Sequence, residues 1–185
     1  MAQYFFLCSS LPMLVWGEPI PIAVDGFLAQ CEGQLPDNEL ELLTKVTLTP
    51  DSGHRFPANS LVQKYYNFDT CLRNALMPGK AGNQDISGEL RPENDFFSEI
   101  PGIVSAVSGS SNLLESEQML DLARYQAIDS LLGFESFTWN ALAAYKLKLL
   151  LLEKYANRTK ERGEANLDAV LDRLQQERKQ NEHNI

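Results

Sequence analysis

Residues 136–162 read SFTWNALAAYKLKLLLLEKYANRTKER, and the architecture hangs on them. Ser136 can cap a helix that runs to about Arg162, just before Gly163. At 100° per residue, Ala141, Ala144, Leu151, Leu152 and Tyr155 surround Lys148, whereas Lys146, Glu153 and Asn157 share a narrow polar strip. A helix apolar over most of its circumference needs cover on most sides, so this segment is expected to be the central buried element.

Toward the N-terminus, Leu120, Ala123, Ala127, Ile128 and Leu131 form one face of a helix from about Leu113 to Leu132, and Gly133 sits where a terminating glycine belongs. The stripe Leu61, Tyr65, Phe68, Leu72 and Leu76 predicts another from about Asn59 to Leu76, stopped by Pro78-Gly79. Asp69 and Arg73 stand four apart beside that stripe, acid first, the favourable order for a pair. Shorter helices are expected over about 23–35, from Val24, Phe27, Leu28 and Cys31, and after Pro36-Asp37-Asn38-Glu39, through Leu40, Leu43 and Val46. A last helix is expected from about Asn166 to Gln180.

Three stretches interrupt the helical pattern. Residues 47–58, with Pro50-Asp51-Ser52-Gly53 and Pro57, favour turns, and residues 77–112 are rich in Gly, Pro, Ser and Asn. The apolar run Tyr4–Cys8 fits either a buried strand or a short buried helix. The whole N-terminal stretch 1–19 resembles a secretory signal but lacks a basic start and a small-residue cleavage site, and it is interrupted by Pro12, so it is expected in the core. The fold expected is mainly α: an irregular bundle of five or six helices with that one short segment as strand or helix. Residues 1–181 form one helical domain, or two lobes, 1–76 and 113–181, joined by the loop 77–112; residues 182–185 are a disordered tail.

With 44% hydrophobic and 22% charged residues the chain has ordinary globular composition. Its formal charge of −9 repels nucleic acid and anionic lipid alike. Residues 1–100 hold 6 basic and 13 acidic residues, so an acidic N-terminal surface suited to a basic partner is expected. No apolar run reaches membrane-spanning length; the richest, 142–152, contains Lys146 and Lys148. Cys8, Cys31 and Cys71 are unpatterned and expected to be reduced, in a cytoplasmic protein.

No nucleophile elbow, P-loop, dinucleotide fingerprint, zinc-protease motif or EF-hand occurs. The two histidines, His54 in a turn-rich loop and His183 in the tail, anchor no relay, so neither a catalytic centre nor a cofactor or metal is expected. An enzymatic reading would have to assemble its chemistry from Cys71, His54 and the long loop. Arg124 and Lys148 break the local pattern, each falling in an apolar stripe. Either their stems snorkel or they meet an internal carboxylate such as Asp69, Asp129 or Glu135, or the same faces dock acids of another subunit. Trp16, Trp139, Tyr65, Tyr66 and Tyr145 suit cores and interfaces equally, and the core is the reading taken.

The string Tyr4-Phe5-Phe6-Leu7-Cys8-Ser9-Ser10-Leu11-Pro12-Met13-Leu14, followed by Glu18-Pro19-Ile20-Pro21 and Phe27-Leu28, resembles the bacterial DUF2764 family, as do Cys71–Leu76 and Trp139–Leu149. Genes of that family sit within V/A-type ATPase operons, and its members look like distant relatives of the ATPase C/d subunit, a helical, non-catalytic piece of the rotor. The resemblance implies a structural or assembly component with rotor subunits as partners, held peripherally at the inner face of the membrane. The chain is much shorter than a three-lobed C subunit, which implies a single lobe or an assembly factor. A free-standing cytoplasmic helical adaptor is the alternative.

Overall fold

The computed structural model describes residues 2–50, 55–81, 90–91 and 95–158. It divides into two units, Met1–Glu153 and Lys154–Ile185. Of the second, the described residues end with the last turn of a helix, where the Arg158 amide donates to the Tyr155 carbonyl at 3.1 Å. The helix expected over 166–180 and the tail lie outside the described residues.

Seven helices are described: α1 (Ala2–Ser10), α2 (Val24–Cys31), α3 (Asp37–Thr44), α4 (Leu61–Ala81), α5 (Ile100–Ser108), α6 (Leu113–Leu132) and α7 (Trp139–Asn157). No strand occurs among the described residues, so the fold is mainly α, as the periodicity indicates.

Four local expectations need correction. The run at Tyr4–Cys8 is helical, and a helix can turn only one side inward: Leu7 is fully buried, whereas Phe5 and Phe6 are 49% and 69% exposed. Those two phenylalanines are therefore not core. α5 lies inside the stretch read as loop. Its Ile100, Ile103, Val104 and Val107 keep the i, i+3, i+4, i+7 spacing of one face, and Pro101 sits in the first turn, where a missing amide hydrogen costs nothing. Gly102, Ser105 and Ser108 disguised it. α4 runs through Pro78 to Ala81, because a proline so near the end forfeits one bond, toward the Asn74 carbonyl, rather than a whole ladder. Lastly, α7 is capped by Thr138, not Ser136: the Ala141 amide donates to Thr138 Oγ1 at 3.3 Å.

The main hydrophobic cluster joins Leu7, Phe27, Cys31, Leu43, Tyr65 and Tyr66 to Ile128 of α6 and to Leu142, Leu147, Leu149, Leu151 and Leu152 of α7. A second cluster unites Phe68, Cys71 and Leu72 of α4, Ile100 of α5, and Leu120 and Ala127 of α6. α4 and α6 thus contribute to both. Gly133, with φ +59°, ends α6 as its amide donates to Asp129 O at 3.1 Å.

Polar side chains of α7 close the ends of its neighbours. Glu153 Oε1 accepts from the first amide of α2, Val24 N, at 3.0 Å. Lys146 Nζ donates to the carbonyls of Leu43 and Thr44 at the end of α3, at 2.9 and 2.8 Å. Asn140 Oδ1 accepts from the first amide of α4, Leu61 N, at 3.3 Å. Each contact matches helix polarity, an acceptor at an N-terminus and a cation at a C-terminus. The polar strip is thus partly inside, and Lys146 is 4% exposed.

Candidate functional site

The sequence singles out Asp69, Arg73, Arg124, Lys148, Trp139 and Tyr145, and the structure puts them in three places. Asp69, Arg73 and Arg124 form a network between α4 and α6. Arg124 Nε donates to Asp69 Oδ1 at 2.7 Å and its Nη1 to Asp121 Oδ1 at 2.9 Å, while Arg73 Nε reaches Asp69 Oδ2 at 2.5 Å. Arg124, Asp69 and Asp121 are buried, and Arg73 lies at the rim. Two carboxylates face two guanidinium groups, so the formal charges balance. Burial alone would lower the Arg124 guanidinium; the groups around it, Asp69 foremost and then Tyr65 and Asp121, together outweigh burial and hold it above its ordinary value. The Tyr65 hydroxyl, fully buried, has no hydrogen-bond partner among the described residues, and burial, then the Asp69 charge, push its pKa up.

Lys148 and Tyr145 line a second place, an open groove of about 570 Å³ between α6, α7 and the extended segment 11–16. Lys148 pairs with Asp129 and stands 4.6 Å above the Tyr125 ring. Tyr125 and Tyr145 donate to the carbonyls of Leu14 and Pro12, each at 2.9 Å, and so pin the segment down. Removal of these hydroxyls from water pushes Tyr145 up to about 12 and Tyr125 in the same direction, in the latter case with help from Asp129. Trp139 stands apart, half-buried, its indole donating to the Glu39 carbonyl at 3.2 Å and its ring 6.3 Å from that of Phe56. The two misplaced cations therefore find their partners within the chain.

A further place holds none of the residues singled out from the sequence. Phe5 packs its ring 4.8 Å from Phe137, in the loop between α6 and α7, and 5.8 Å from Phe6. Phe134 of the same loop is fully exposed. Exposed phenylalanines gathered in this way characterise interaction surfaces more than solvated ones. The signal in the sequence was the pair Phe5-Phe6 itself: read as helix, the run has more aromatic bulk than its inward side can take.

Among the described residues no group of three or more His, Cys, Asp or Glu side chains is placed to hold a metal ion, and no helix is long and apolar enough to cross a membrane. Burial pushes the Cys31 thiol up to about 11 and the Cys8 thiol in the same direction, away from the thiolate a nucleophile needs. His54 and His183 lie outside the described residues, whereas Cys71, with which His54 would have to act, is buried in the second cluster.

A family model described as "Protein of unknown function (DUF2764)" matches residues 92–178. The match supports the resemblance drawn from the sequence; it contains the Trp139–Leu149 block and the helices α5, α6 and α7. No curated protein and no solved structure matches the chain.

Proposed function

We propose that the chain is a non-catalytic, protein-binding component of a V/A-type ATPase, serving as one lobe of a C/d-like central-stalk element or assisting its assembly, and held at the cytoplasmic face of the membrane through that complex. The observation that carries the binding role is the exposed cluster of Phe5, Phe6 and Phe137, with Phe134 exposed in the same loop as Phe137, on a bundle whose misplaced cations are already matched internally. Such a surface costs solubility in isolation and gains its use when covered. The ATPase is chosen on the resemblance of the N-terminal, Cys71–Leu76 and Trp139–Leu149 blocks, which the family match supports over its own range.

A stiff bundle suits the role. Side chains of α7 close α2, α3 and α4, so the first unit holds its surface in a fixed shape, and the two thiols raised by burial suit a part that does no covalent chemistry. Affinity purification of the tagged chain from its native host tests the reading. Recovery of ATPase rotor subunits supports it; recovery of other proteins without any ATPase subunit overturns it in favour of a free-standing adaptor.

A further inference from the structure

We propose that the corner made by α1 and the α6–α7 loop docks a partner helix with an aliphatic face flanked by lysine or arginine. This names the partner chemistry of the proposed binding role and rests on that reading. The centre of the corner is apolar: the Phe5 ring sits between Phe6 and Phe137, and Phe134 stands free in the same loop. Its surroundings are acidic. Glu135 lies between the two loop phenylalanines and is exposed, accepting from Thr138 and Asn140. Glu39 reaches α1 from α3, where its Oε2 accepts from the Tyr4 hydroxyl at 2.5 Å, and its backbone carbonyl meets Trp139. Asp37 and Glu41 on α3 are exposed as well.

Charge selects the occupant. Residues 1–50 carry six acids and a single basic residue, Lys45, which Glu41 engages at 2.5 Å. An apolar centre inside an acidic rim is complementary to an apolar stripe edged with cations. A second copy of this chain would set acids against acids, and an anionic lipid surface would be repelled for the same reason. The ring contacts of Phe5 with Phe6 and Phe137 already restrict these side chains, so less freedom is lost when a partner covers them.

The test uses the full chain and two labelled peptides, an amphipathic helix of leucine and lysine and its counterpart with glutamate in place of lysine, read by fluorescence anisotropy. The leucine–lysine helix is expected to bind, more weakly as salt is raised, and the leucine–glutamate helix not to bind. Phe6→Ser with Phe134→Ser should weaken binding at least about tenfold without changing the melting temperature, since both side chains project into solvent. Equal binding by the double variant, or equal binding of the two peptides, overturns the proposal. So does a sedimenting dimer that the double substitution dissolves, which would make a second copy the occupant. Peptide binding by a chain that recovers no ATPase subunit overturns the assignment to that machine and supports the surface. ATPase recovery undiminished by the double substitution overturns the surface and supports the machine.

Discussion

Arg124 Nε donates to Asp69 Oδ1 at 2.7 Å and so joins α6 to α4 across 55 positions of sequence, between the two helices that share both hydrophobic clusters. Removing one member leaves a charge stranded indoors. Asp69→Ala should therefore cost about 3–5 kcal/mol in urea unfolding, while Arg73→Ala, whose side chain is 46% exposed, should cost no more than about 1 kcal/mol. Replacing the three buried members together, Asp69→Leu, Asp121→Leu and Arg124→Met, should recover most of the loss. An Asp69→Ala chain as stable as Arg73→Ala would contradict the buried network.

Lys146 and Lys148 are two residues apart and differ in kind. Lys146 closes the carbonyls of Leu43 and Thr44 from inside, so Lys146→Met should lose about 1–3 kcal/mol. Lys148 faces an Asp129 side chain that is 57% exposed, and Lys148→Met should lose about 1 kcal/mol or less, ring contact included. Chemical denaturation of the two variants side by side decides the matter, and the reverse order would sink this account of α7.

A helical wheel found the cation-bearing helix and misjudged which cation goes inside. Lys148 has apolar neighbours on its own helix, but Lys146 is the one that meets the end of α3, a relation between segments 103 positions apart that no local pattern encodes. The same limit explains Glu153 and Asn140, whose contacts are with the ends of other helices far away in sequence. What periodicity could read, it read: the apolar faces of α2, α3, α4, α6 and α7 were all legible. α5 carries the same spacing in Ile100, Ile103, Val104 and Val107, but its glycine and serines give the segment the composition of a loop. The aromatic corner was hidden for a different reason, since a short apolar run leaves its geometry open and only the helical form puts Phe5 and Phe6 outside.

Tyr65→Phe should not destabilise the chain. The hydroxyl is buried without a hydrogen-bond partner among the described residues, so deleting it removes an unmet polar group and should leave stability unchanged or raise it by about 1 kcal/mol. A loss above that size in thermal melting would show that the hydroxyl is satisfied.

Stability should fall in alkali through Tyr4 and Tyr145. Both have pKa values raised from 10.0 to about 12, by burial first and, for Tyr4, by the hydrogen bond to Glu39 as well. Their contribution is complete below pH 10 and is lost between pH 10 and 12, because the unfolded chain releases these protons first. Lys146 acts in the opposite sense: burial lowers its pKa, so the penalty on its charge lifts as the pH climbs toward 10.5. Melting curves above pH 9 for Tyr4→Phe and Tyr145→Phe isolate the tyrosines. Each variant should show a shallower alkaline decline than the parent chain, and an unchanged slope would contradict the assignment.

The central claim is that the aromatic corner binds a protein of the V/A-type ATPase, and one comparison tests it most directly: the amount of ATPase rotor subunit that co-purifies with the parent chain and with the chain carrying Phe6→Ser and Phe134→Ser. The account predicts clear recovery with the first and at least about tenfold less with the second, at equal expression and equal melting temperature. Equal recovery by both, or none with the parent chain, would contradict it.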